Sequence, residues 1–352
     1  MKVLFLTRKW PPAIGGMEGY SFELTRELER DVDLTIHALP GRPDGAAPRA
    51  VTILGFAIRT AWQIVWEPEH DVIHGADMAI WPLALLARLR SPRAEVVLSA
   101  HGSDVSFPDR PGIWPALYGS YMRFGARVLR RARVLANSRA TAERVRALGF
   151  RSVALVPLGT RAFGPAAPPE TPGSFILFAG RLIRQKGLAW FIAEVLPLLP
   201  QHITLLVAGT IWDEGERESL NSSRVTYVGA LDQENLGTLM AEALCVVLPN
   251  IPAGVGYFEG FGLVAVEAAT AGGVVIASRM DGFTDSVLDE VTGFLVEPMS
   301  PMDWVAKIIE VASWAPDVRR AFTAQASEKA RAYFTWERVA QQTVDSYRAA
   351  GG

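Results

Sequence analysis

The sequence predicts an α/β protein built from two doubly wound parallel sheets, and three observations carry that expectation. Short apolar runs alternate with segments of helical period through both halves of the chain. A stretch rich in Pro, Ala and Gly with no apolar period, residues 160–174, divides the halves and reads as a linker. Glycines and charged residues collect where apolar runs end, at the sheet edge where open α/β folds bind ligands. A length of 352 residues accommodates two ordinary domains. The expected boundaries are residues 1–160 and 175–335, with 161–174 as linker, and the cleft between two such domains is the default ligand site.

Residues 1–6 read as a buried strand, residues 7–16 as a loop holding Pro11, Pro12, Gly15 and Gly16, and residues 17–29 as a helix. A glycine pair at a helix start offers backbone N–H groups to an anion, and serves equally well as a plain turn. The three spaced glycines of a dinucleotide site are absent, which weighs against a nicotinamide cofactor. Residues 34–38, 51–55 and 71–74 read as further strands and 40–48 as an irregular surface loop. Asp31 and Asp33 match the spacing of a metal-binding pair but fall at a helix-to-strand turn, so they read as solvated.

The strand at residues 95–100 delivers His101, followed by Gly102, Ser103 and Asp104. By itself His101 suits a hydrogen-bonded, partly buried residue as well as a ligand contact. Residues 113–133 read as one helix, with Trp114, Leu117, Tyr118, Tyr121, Phe124 and Val128 at spacings of three and four. No acidic residue lies between Arg110 and Glu143, and Arg123, Arg127, Arg130, Arg131 and Arg133 gather at its end. That composition suits an anionic membrane surface, although a core helix with a solvated basic face is the favoured reading. A strand at 134–137, a helix at 140–148 closed by Gly149 and a segment at 153–159 complete the first half.

The second half reads as strand 175–179, helix 187–199, strands 203–208 and 225–228, helix 233–243 and strand 244–248. Between the first of these strands and its helix lie Gly180, Arg181, Arg184, Lys186 and Gly187. Arg presents a planar fork and Lys a compact charge, a pair suited to a diphosphate; a plain basic helix start is the alternative. The chain has five lysines against thirty arginines, so a lysine here is not generic surface charge. Residues 255–278 then form a glycine-rich loop carrying Glu259, a helical stretch from Gly262 with Glu267 one turn in, and a strand at 274–277. The bland reading makes Glu259 a solvated loop residue and Glu267 a complement to the helix dipole. A last helix, residues 336–350, follows a turn at Phe334 and Thr335.

Composition bounds the function. With 49% hydrophobic and 20% charged residues the chain is globular, and a net charge of -2 gives no pull toward nucleic acid. Cys245 is the only cysteine, so the chain has no disulfide or cysteine metal site, consistent with a reducing compartment. No apolar run approaches the ~20 residues of a membrane span. The expected location is the cytoplasm, with any membrane contact peripheral and on the inner face of the plasma membrane.

Glu259, Gly260, Phe261, Gly262 and Leu263, with Glu267 eight positions after the first glutamate, resemble the paired-glutamate motif of retaining family 4 glycosyltransferases. These are group 1 enzymes of the glycogen-synthase and mannosyltransferase kind, with the GT-B fold of two Rossmann-like domains facing a central cleft. The loop at 180–187 resembles their Gly-Arg-Leu and Lys-Gly element, and His101 to Asp104 their His-Gly-x-Asp loop. Pro11, Pro12, Gly15, Gly16, Met17 and Glu18 resemble their N-terminal glycine loop; Asn137, Ser138, Val156, Pro157, Leu158 and Gly159 also fit. The resemblance covers nearly the whole chain in order.

It implies that Arg181 and Lys186 stabilise a leaving nucleoside diphosphate, and that the backbone at Gly15 and Gly16 approaches the phosphates or the sugar. His101 would lie near the sugar C6 hydroxyl. Glu259 and the backbone at Phe261, Gly262 and Leu263 would hold other hydroxyls, Glu267 would bind the ribose diol, and Tyr227, Val228, Gly229 and Ala230 would line the base. Asp104 and Met17 would serve the loop or the acceptor side, and the last helix would cross back onto the first domain. Fixed cations and N–H groups meet the developing charge, so neither a metal nor another cofactor is expected.

Two glutamates also suit a glycoside hydrolase, but basic and glycine loops have no task on a neutral glycoside. Leu158, Gly273 and Asp285 stand where the family often has Asn, Pro and Glu, and Asp285 could alter the pocket wall. The resulting expectation is metal-independent, retaining transfer of a hexosyl group from a nucleoside diphosphate sugar to an acceptor hydroxyl, in cell-envelope glycolipid, polysaccharide or small-molecule glycoside synthesis. A sugar-nucleotide epimerase on the same fold and an inactive nucleotide-sugar or membrane-surface binding protein are the alternatives. Base, sugar and acceptor rest on a few pocket contacts that a fold does not determine.

Overall fold

The computed structural model describes residues 1–13, 15–42, 46, 48–161 and 173–350. The chain divides into two units, Met1–Gly159 with Trp336–Gly352, and Thr160–Thr335. Most of the expected linker, residues 162–172, lies outside the described residues.

The first unit runs β1 (Lys2–Trp10), α1 (Gly16–Leu28), β2 (Asp33–Pro40), α2 (Ala50–Trp66), β3 (Val72–Gly75), α3 (Trp81–Arg90), β4 (Glu95–Ala100), α4 (Ser103–Ser106), α5 (Ile113–Val128), β5 (Arg133–Ala136), α6 (Arg139–Ala147) and β6 (Ser152–Leu155). Its sheet is parallel throughout, in the order β2-β1-β3-β4-β5-β6. Central strands covered on both faces need apolar residues at every position, and Val3 through Leu6 are buried without a break. Leu4 and Leu6 join Phe56, Trp81 and Met122 in a core beneath α2, α3 and α5. Phe5 instead meets the ring of His74 edge-on, and His74 bonds Tyr347 near the end of the chain.

The second unit runs β7 (Phe175–Ala179), α7 (Leu188–Trp190), β8 (Thr204–Ala208), α8 (Glu214–Ser219), β9 (Val225–Gly229), α9 (Gln233–Glu242), β10 (Cys245–Leu248), α10 (Leu263–Thr270), β11 (Val275–Ser278), α11 (Phe283–Ser286), β12 (Phe294–Val296), α12 (Pro301–Ala312) and α13 (Pro316–Tyr333). Its parallel sheet has the order β12-β11-β10-β7-β8-β9. The chain then returns to the first unit as α14 (Trp336–Ala350).

Three expectations need correction. Residues 51–55 are not a strand but the first turns of α2, whose buried positions Phe56, Thr60 and Ile64 recur every four residues. Five apolar residues in a row do not distinguish a strand from a helix, and the stretch that decides lies further on. The helix expected over 113–133 stops at Val128; Arg130 and Arg131 occupy a turn, and Arg133 already belongs to β5. The helix expected over 187–199 runs without interruption over 188–198 but not as one α-helix: α7 passes into a π turn at Phe191–Val195 and ends in a 3₁₀ turn at Leu196–Leu198, where Pro197 lacks an amide.

Candidate active site

In the second unit the loops that follow β7, β8 and β10 are stitched to one another at the C-terminal edge of the sheet. Leu182 donates its amide to Thr210 and accepts from Trp212, and Ile251 donates to the Gln185 carbonyl. The fit is close at two glycines with positive φ. A Cβ on Gly209 would stand 1.7 Å from the Gly180 oxygen, and one on Gly187 2.0 Å from the Pro249 oxygen. Only glycine allows these approaches. They bring Lys186 to Glu259, with which it forms an ion pair.

Asn250 Nδ2 donates to the same Glu259 oxygen at 3.3 Å, and Asn250 is itself held by Ser278, whose hydroxyl donates to its carbonyl at 2.6 Å. The Glu259 amide donates to Asp281 at 3.2 Å, and Gly282 donates to the Glu259 carbonyl at 3.0 Å. Burial works against the Glu259 charge, but the charge and hydrogen bond of Lys186, the Asn250 amide and the nearby Arg181 outweigh it and hold the carboxyl below its usual range. The Arg181 guanidinium lies over the Trp212 ring at 5.5 Å.

Phe261 leads to Gly262, which caps α10 at φ 85 and supplies no side-chain acceptor for the amides of Leu263 and the residues behind it. Glu267, on the same helix, has a different environment: burial alone pushes its carboxyl up to about 7. At the edge of the sheet the Tyr227 hydroxyl donates to the Gly209 carbonyl at 2.8 Å, Val228 is partly exposed, and Gly229 accepts from the Gly209 amide just before Ala230.

In the first unit Gly15 and Gly16 are exposed at the start of α1, with Met17 in its first turn; Ile14 lies outside the described residues. Glu18 pairs with Lys9 at 3.2 Å. His101 follows β4, and its Nε2 donates to the Ala76 carbonyl at 2.7 Å while Tyr20 meets its ring edge-on. Asp104 accepts from the amides of His101 and Gly102 at 3.0 and 2.9 Å, and Asn137 donates to the His101 carbonyl at 3.1 Å. The Asp104 carboxylate is buried against these amides. Asp31 and Asp33 are exposed at the turn between α1 and β2.

The sequence reading missed the bracing residues Asn250, Ser278 and Asp281, and a bidentate pair between Arg8 and the buried Asp77, closest at 2.7 Å. The available signal was position: Asp77 and Asn250 each follow an apolar strand, as His101 does, and Arg8 lies in β1 just beyond its apolar run.

A Rossmann-like sheet in each unit, with charged loops at its C-terminal edge, defines the GT-B class. Residues 14–161 match the family model described as Glycosyltransferase Family 4 and residues 173–313 the one described as Glycosyl transferases group 1, so the chain belongs to the family 4, group 1 glycosyltransferases. The Alpha-maltose-1-phosphate synthase of Mycolicibacterium smegmatis is 26% identical over 99% of both chains. The D-inositol 3-phosphate glycosyltransferase of an Arthrobacter species is 32% identical over 54% of this chain and 47% of that one. The chain spans less than half the length of the first curated relatives it matches, 45%, 26% and 47%. Among solved structures, Anabaena HepE in complex with UDP and glucose has the same fold, with a TM-score of 0.70, 18% identity and coverage of 99% of this chain and 100% of that one.

Proposed function

We propose that the chain transfers a hexosyl group from a nucleoside diphosphate sugar to an acceptor hydroxyl, with retention at the anomeric carbon and without a metal. The observation that carries this reading is the Lys186–Glu259 pair, braced by Asn250 and flanked by Arg181. Cations of the kind that suit a diphosphate beside a carboxylate of the kind that suits sugar hydroxyls, on one sheet edge, support the reading.

In this reading the anomeric C–O bond to the diphosphate breaks as negative charge develops beside Arg181 and Lys186. The acceptor oxygen bonds the anomeric carbon from the face the diphosphate leaves, and its proton passes to a diphosphate oxygen. No residue is assigned as a nucleophile on the opposite face. Glu259 accepts from the sugar hydroxyls, Glu267 accepts from the ribose diol, and Tyr227 to Ala230 flank the base. Because the Nε2 proton of His101 is engaged by Ala76, its Nδ1 is the atom offered to a sugar hydroxyl. The UDP and glucose named for the Anabaena structure make UDP-sugars the first donors to test.

The test is donor turnover in EDTA across UDP-, GDP-, ADP- and TDP-sugars, with and without candidate acceptors, read by diphosphate release and by anomeric NMR of the product. We expect acceptor-dependent release with one base and a retained product. Glu259→Ala should lower turnover about 10²–10³-fold, as loss of a group aimed at the reacting sugar does, while free diphosphate affinity changes less than about threefold. Equal loss of both would remove Glu259 from the sugar site. Conversion of the donor sugar without any acceptor would replace transfer by epimerisation.

A further inference from the structure

Helices α2, α3 and α5 cover one face of the first sheet. Phe56 and Ile64 of α2, Trp81 of α3 and Met122 of α5 share its core, and a Cβ on Gly125 would come within 2.9 Å of the Trp81 ring, so α3 and α5 are in close contact. The outward sides of these helices are unlike an ordinary solvated face. On α2 Leu54, Ile58, Trp62 and Trp66 are 60–71% exposed, on α3 Leu89 is 70% exposed, and on α5 Trp114 is 74% exposed. Scattered exposed apolar residues are normal, but large ones on three neighbouring helices mark a contact surface. None of the three helices contains an aspartate or glutamate.

The cations gather at one end of this face. Arg123, Arg127, Arg130, Arg131 and Arg151 line a cavity of about 690 Å³ that no carboxylate enters. Among the described residues these five arginines form no ion pair. A neighbouring cavity of about 430 Å³ sets Arg88, Arg130 and Arg131 beside Leu85, Leu89 and Val128, with Glu95 its single acid. Arg130 and Arg131 lie just before β5 and Arg151 just before β6, at the sheet edge opposite to His101. Trp62 and Trp66 end α2 on the way into β3, at that same edge.

We propose that this edge of the first unit docks on an anionic lipid bilayer, the arginine cavity receiving phospholipid phosphates while Trp62, Trp66, Leu89 and Val128 enter the headgroup boundary. Charge complementarity selects the occupant: unpaired arginines need an anion, and the apolar side chains among them gain from acyl chains what a purely polar polyanion would not give. No helix among the described residues is long and apolar enough to cross a membrane, so the contact is peripheral. The inference goes beyond the transfer reading and uses none of its residues.

The full chain is sedimented with vesicles of phosphatidylcholine alone or mixed equally with phosphatidylglycerol, at low and high salt. We expect binding to the anionic vesicles at low salt, at least tenfold stronger than to phosphatidylcholine and weakened by salt. The triple variant Arg127→Gln, Arg130→Gln, Arg131→Gln should lose about 100-fold in partitioning. Trp62→Ser with Trp66→Ser should lose about tenfold, and both variants should keep the wild-type thermal midpoint within a few degrees. Absent or equal binding to the two vesicle types, or wild-type partitioning by the arginine variant, overturns the proposal. So does a wild-type dimer that leaves vesicles unbound and that the tryptophan variant turns into monomer, because the face would then cover a second copy.

Discussion

Glu259 and Glu267 are eight residues apart, and their surroundings push them in opposite directions. Lys186 and Asn250 hold Glu259 ionised, so its folded pKa lies below the usual value of about 4.3. Its contribution to stability is present above that usual value and is lost as pH falls through the folded one. Glu267 has burial and no compensating charge, so its folded pKa rises to about 7. Its contribution is full below about 4.3 and is lost as pH rises through about 7, where the buried carboxyl must ionise. Urea midpoints between pH 3 and 8 should therefore separate two isosteric variants. Glu259→Gln should be less stable than wild type at pH 7, because Lys186 loses its partner, and the deficit should persist down to about pH 4.3 and shrink only below it. Glu267→Gln should match wild type near pH 4 and exceed it at pH 8. Parallel curves for both variants would contradict the opposed environments.

At the scale of elements, what matters is how loops distant in sequence are seated on each other. The loop after β7 reaches the loop after β10 through Gly187, whose φ of 69 and missing Cβ both serve the approach to Pro249. Gly187→Ala should lower stability by about 2 kcal/mol or more, from the left-handed backbone and the displaced carbonyl together. It should also weaken diphosphate binding by moving Lys186. Gly19, inside α1 with open space at its Cβ position, supplies the control: Gly19→Ala should raise stability by about 0.5–1 kcal/mol. The same seating explains what the sequence made legible. Val3–Leu6 and Phe175–Ala179 are visible as strands because burial on both faces demands unbroken apolar residues. Lys186 and Glu259 are visible because glycines and charges at strand ends stand out. The brace that joins them is not, because Asn250 is held by Ser278, 28 residues on, and that meeting depends on β10 and β11 being neighbours. The start of α2 is ambiguous in sequence for a related reason: its residues 51–55 fit either period, and the buried series that decides continues to Ile64.

At the scale of the whole molecule, the chain leaves its first unit at Gly159 and re-enters it at Trp336, so that unit is not a continuous piece of sequence. The returning α14 buries Val339, Val344 and Tyr347, and Arg338 donates to the Pro157 carbonyl at 2.8 Å. Tyr347 also completes a buried chain of hydrogen bonds through His74 and Ser99 to Tyr20, whose ring meets His101. Within it burial, helped by the nearby charge of His101, holds the His74 pKa down to about 3. Without α14 these strand residues face water. Removing three buried side chains at about 1.5–3 kcal/mol each takes away an amount comparable to the whole stability of a domain, about 5–15 kcal/mol. A fragment of residues 1–160 should therefore show no cooperative urea transition and weak near-ultraviolet circular dichroism. Joining residues 336–352 to it through a flexible linker should restore both, while residues 160–335 alone should unfold cooperatively and retain diphosphate binding. If residues 1–160 unfold with a sharp transition unaided, α14 is an accessory to the first unit rather than part of its core. The fall in stability between pH 6.5 and 3, expected of a histidine buried neutral, should then be smaller in that fragment without α14, where His74 loses the cover of Tyr347, than with it.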